Sequence, residues 1–69
     1  MNQQRNLTEF NIQMIEDELI RLATDLHEVT WRLEEAPNNS ILTNYKLNTE
    51  ARIKELSNEL SECYEFLNK

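Results

Sequence analysis

His27 and Cys63 are the only histidine and the only cysteine in this 69-residue sequence, and they bound the chemistry it can do. A thiol acts as a nucleophile when a base lies within hydrogen-bond reach. A structural zinc site takes four ligands, and one imidazole with one thiol falls short of that set. A single cysteine also leaves no internal disulfide, which suits a reducing cytoplasm. The sequence has no glycine. Loops that cradle phosphate or a dinucleotide need glycine where the backbone must approach a ligand. There is no serine–histidine–acid arrangement either. No catalytic residue, cofactor or metal ligand is expected, and the chain reads as a non-enzyme.

Charge argues next. Thirteen acids against seven bases give a formal charge of −6. The bases, Arg5, Arg21, Arg32, Lys46, Arg52, Lys54 and Lys69, are scattered, and each has acids nearby. Affinity for nucleic acid grows with the phosphates that clustered cations neutralise, so no direct nucleic-acid binding is expected. Residues 1–37 hold eight acids and three bases, and residues 38–69 hold five and four. The first half is therefore the acidic one, with clusters at Glu16-Asp17-Glu18 and Glu34-Glu35. An acidic decoy for a nucleic-acid-binding surface follows as one functional alternative.

These residues must be positioned by helices. With one proline and no glycine there are few sharp turns, and a many-stranded sheet is excluded. The only break is Pro37-Asn38-Asn39-Ser40. Proline disfavours the α conformation just before it, and Asn38, Asn39 and Ser40 are all good N-caps. Asn6, with Glu9 three residues on, is the expected start of the first helix. The reading is all-α: a single helical-hairpin domain over 1–69, with a helix at about 6–36, a turn at about 37–40 and a helix at about 40–68. At 1.5 Å per residue the helices would span roughly 46 and 43 Å. Matched lengths across a short connection imply an antiparallel, coiled-coil-like hairpin.

The apolar pattern sets its register. Ile12, Ile15, Leu19, Leu22, Leu26, Val29, Leu33 and Ala36 alternate spacings of three and four, a heptad seam. A second seam runs through Ile53, Leu56, Leu60, Cys63 and Leu67. Traced backwards it meets Thr49, Lys46 and Leu42, so its first half is polar and is expected to be looser. Antiparallel layers would pair Leu33 with Leu42, Val29 with Lys46, Leu26 with Thr49, Leu22 with Ile53, Leu19 with Leu56, Ile15 with Leu60 and Ile12 with Cys63. His27 then points outward, well beyond hydrogen-bond reach of Cys63. Pairs of the acid-first i,i+4 type are expected at Asp17–Arg21, Glu28–Arg32, Glu50–Lys54 and Glu65–Lys69.

On the second helix, Ser57-Asn58-Glu59-Leu60-Ser61 resembles the Ser-Gln-Glu-Leu-Asp motif of small helical-hairpin phosphatases that act on aspartyl-phosphate response regulators. The match holds at three of five positions. The aspartate of that family stands as Ser61 here, so the resemblance implies a shared architecture and not the activity.

A chain below roughly 70–80 residues rarely draws more than about 3–5 kcal/mol from its own core, and it needs a staple. With disulfide and metal excluded, association remains: a homodimer, or a bundle completed with another protein. No apolar run is long enough for a membrane span, and the polar opening residues do not form a secretory signal. A cytoplasmic location is expected. The surplus apolar residues point the same way, because Leu7, Phe10, Met14, Ile20, Trp31, Tyr45, Leu47, Tyr64 and Phe66 lie off the seam. Phe10, Met14, Tyr64 and Phe66 fall at the open end and are the expected protein contacts, with Trp31 and Tyr45 near the hinge as a competing patch. The function expected is a small acidic interaction module that binds and inhibits or chaperones a larger protein. Its rivals are a homo-oligomeric bundle serving as scaffold or assembly factor, and the acidic decoy.

Overall fold

The computed structural model describes the backbone of residues 2–68 and the side chains of residues 7–68. Two helices account for nearly all of it: α1, Asn2–Glu35, and α2, Ser40–Leu67. Among the described residues there is no strand. The helices pack along one another and run antiparallel, with Tyr45 bonded to Asp25 near the turn and Tyr64 bonded to Glu16 toward the open end.

The ends follow local chemistry. α1 begins at Asn2, not at an Asn6 cap. Gln3, Gln4 and Arg5 are good helix formers without a breaker among them, so the helix continues through them. At its other end the Ala36 amide still donates to the Arg32 carbonyl at 3.0 Å. Pro37 then stops the helix, since its ring disfavours the α region for Ala36 and it has no N–H to give. The Asn39 amide donates back to the Ala36 carbonyl at 3.1 Å, tightening the reversal. Of the three candidate caps, Asn39 is the one used: extended at φ −77° and ψ 103°, its side-chain oxygen accepts from the Leu42 amide at 3.2 Å. No described residue has positive φ. The chain reverses without the left-handed conformation that glycine would serve.

The seam packs as its spacing predicts. Ile12, Leu22, Val29 and Leu56 are buried, and Ile15, Leu19, Leu26, Leu33, Leu42, Ile53, Leu60 and Leu67 are half-buried between them. The polar half is not thinner, contrary to expectation. Val29 and Thr49 are 4% and 5% exposed, as closely covered as Leu56 at 3%, Ile12 at 7% and Leu22 at 8%. The reason is local: the Thr49 hydroxyl donates to the Tyr45 carbonyl at 2.8 Å. Its polar group is thus satisfied within its own helix and leaves the methyl for the seam. Lys46 is half-buried, its stem covering apolar surface while the ammonium reaches water.

Surface ion pairs differ in detail from the spacing argument. Glu28 and Arg32 pair at 3.0 Å as expected. Arg21 instead takes Glu18, one turn back at i,i+3, rather than Asp17, with Nε donating to a carboxylate oxygen at 3.2 Å. Arg52 turns to Glu55 at 3.1 Å. Glu50 and Lys54 do not pair among the described residues, and the Glu65–Lys69 expectation lies outside them. All are exposed pairs worth a few tenths of a kcal/mol.

The result is a rod of 52 × 15 × 14 Å with a radius of gyration of 15.7 Å. A compact chain of this length would have a radius of about 11 Å. The accessible surface is 5627 Å², where a compact monomer of this mass exposes about 4,600 Å². A hairpin has one seam to bury and three sides left over.

Candidate interaction surface

Among the described residues ten large apolar side chains stay exposed on those sides, against four buried in the seam. Their places follow from helical periodicity. Leu7 and Met14 are a heptad apart, on one flank of α1. Phe66 and Tyr45 lie on the flank of α2 that faces it across the seam. Two grooves open on this shared side.

The larger groove, about 480 Å³, lies at the open end. Its floor is Met14, Ile15, Cys63 and Phe66, its α2 lip carries Glu59 and Glu62, and Thr8 and Asn11 line the α1 side. The smaller groove, about 300 Å³, lies near the hinge, where Val29, Leu42 and Tyr45 meet Asp25, Glu28 and Arg32.

The expected contact residues are therefore divided. Met14 and Phe66 come together in the open-end groove, both about half exposed. Tyr64 leaves them: it sits on the opposite flank, where its hydroxyl donates to Glu16 at 3.1 Å. That bond and the negative charge beside it raise the phenol above its ordinary value of 10.0. Phe10 and Trp31 lie on the outer face of α1, away from α2, and are 58% and 59% exposed. Tyr45 lines the hinge groove with its hydroxyl 3.4 Å from Asp25. Arg21, held by the Glu18 carboxylate, has its guanidinium pushed up further from an already high value.

Sequence reasoning missed Glu59, Thr8 and Asn11 as groove residues. It also read Cys63 as seam only. The layer pairing already carried part of that signal, since Asn11 beside Ile12, and Glu59 beside Leu60, adjoin the Ile12–Cys63 and Ile15–Leu60 layers on one side of the cleft. His27 is exposed and Cys63 half-buried, one on the outer side of α1 and the other in the groove floor. The Ser57–Ser61 motif puts Ser57, Asn58, Glu59 and Ser61 at the surface, with Leu60 turned to the seam. Among the described residues no group of acids, histidine and cysteine is placed to hold a metal ion. No helix is long and apolar enough to cross a membrane. Set against protein-family models, curated proteins and solved structures, the chain matches none of them.

Proposed function

We propose that this chain is a non-enzymatic interaction module that docks on a larger protein and inhibits or chaperones it, working in the reducing cytoplasm. The observation that supports this reading is the ratio of ten exposed to four buried large apolar side chains. Scattered exposed leucines are ordinary, whereas apolar residues gathered in a rimmed groove mark a binding site. The test is affinity capture by the full chain compared with a Met14→Ser, Phe66→Ser double variant, helicity being checked by circular dichroism. The variant is expected to remain helical and lose the captured protein. A partner retained equally by both would overturn the reading.

A second reading, a homo-oligomeric scaffold, is favoured by a different surface. Ile20, Ala23, Thr24, His27 and Trp31 share the outer face of α1, all exposed and without a carboxylate, lysine or arginine among them. A second copy laid along this strip would bury apolar surface without opposing charges at its centre. Salt separates both readings from the acidic decoy. Apolar contacts persist as ionic strength rises, whereas binding through the acidic first helix collapses.

A further inference from the structure

We infer that the open-end groove receives an apolar helical segment of a partner protein flanked by lysine or arginine, the cations lying against Glu59 and Glu62. This rests on the interaction-module reading and names the chemistry of its partner. The groove runs between two packed helices over an apolar floor that includes Met14 and Phe66, and a third helix laid along such a cleft completes a bundle seam. Its α2 lip is anionic and unanswered. Glu59 and Glu62 stand one turn apart, and neither has a hydrogen-bond or ion-pair partner among the described residues.

The rest of the same side is different. Glu18 is held by Arg21, Glu28 by Arg32 and Glu55 by Arg52, and Asp25 accepts from Tyr45. On this side the carboxylates along the middle and hinge end are answered within the chain, Glu35 at the end of α1 excepted, whereas both on the α2 lip of the larger groove are open. A second copy is a poor occupant. A two-fold contact centred there sets Glu59 and Glu62 against their own counterparts, on chains that each carry −6. A basic flank turns the same two charges into attraction.

The probe is a capped synthetic helix with leucines at i, i+3, i+4 and i+7 and lysines beside them, together with a counterpart carrying glutamate in place of lysine. Two readouts follow its binding to the full chain. One is the rate at which neutral iodoacetamide alkylates Cys63 on the groove floor, and the other is the amide spectrum. The lysine helix is expected to slow alkylation and shift Asn11, Met14 and Phe66, and the glutamate helix to do neither. Glu59→Gln with Glu62→Gln should weaken the lysine helix by about fivefold, as for two exposed pairs. Asp17→Asn with Glu34→Gln, the same change in net charge on the outer side of α1, should leave its affinity unchanged.

Equal weakening by the two double variants, equal binding of both helices, or no binding of the lysine helix overturns the inference. If any of these occurs while captured protein is still lost from Met14→Ser, Phe66→Ser, the partner chemistry is wrong and the interaction-module reading stands.

Discussion

At the scale of single residues, the two tyrosines that bridge the helices are the polar contacts with most to report. Tyr64 gives its proton to a hydrogen bond with Glu16, and its phenol is raised by that bond and by the adjacent negative charge. A raised native value means that the contact favours the fold below the ordinary phenol value of 10.0 and is lost as pH climbs through the raised one. In a Tyr45→Phe background only Tyr64 absorbs as phenolate. Adding Glu16→Gln is expected to bring its titration midpoint down toward 10.0. A midpoint that does not move would mean the bond is absent in solution. Thr49 supplies the second test. Its hydroxyl is satisfied inside its own helix and its methyl already faces the seam, so Thr49→Val exchanges a buried hydroxyl for a second methyl. A gain of about 0.5–1 kcal/mol is expected, a rise of roughly 4–8 °C in Tm for each kcal/mol in a domain this small. A lowered Tm would show that the hydroxyl holds the helix rather than merely sitting in it.

At the scale of the helices, most of the architecture was legible because two periodic signals agreed. The alternating three and four spacing of Ile12 to Ala36 named the buried face of α1, and Pro37 with Asn39 placed the reversal. What was not legible came from side-chain reach rather than from periodicity. The N-cap pattern at Asn6 predicts a later start for α1 than the plain helix propensity of Gln3, Gln4 and Arg5 allows. Arg21 took Glu18 over Asp17 because both lie within reach of a long guanidinium, and spacing alone does not choose between them. The open-end cluster is divided. Sequence distance put Tyr64 and Phe66 at the same end as Met14, but residues two apart on a helix point to different sides, so Tyr64 and Phe66 part company across the seam. Thr49 was read as a weak layer because its type is polar; threonine, however, can return its hydroxyl to the preceding turn.

At the scale of the whole molecule, shape dominates energetics. A rod 52 Å long and about one helix pair thick leaves most of each helix in water, so its stability depends on what covers its sides. Sedimentation at micromolar concentration is expected to give a mass above the 8.3 kDa of one chain, or else a melt that shifts with concentration. A monomer with a sharp, concentration-independent melt would mean that one seam suffices. Salt adds a second axis. Self-association through Ile20 and Trp31 should survive high ionic strength, and binding in the open-end groove should lose no more than the roughly fivefold that its two acids supply.

The antiparallel register has a kinetic side as well. Layers beside Pro37 close a loop of roughly ten residues, and those at the far end close one of roughly fifty, an entropy difference of about 1.4 kcal/mol. The hairpin is therefore expected to zip from its turn outward, with the mouth the last part to shut and the first to gape. Amide protection should accordingly fall from Thr49 through Leu56 to Leu60. The groove floored by Met14 and Phe66 exists only once that mouth has closed. Whatever fills it acts as a latch on the final turns of both helices, and the protection gradient along α2 should flatten when the latch is engaged.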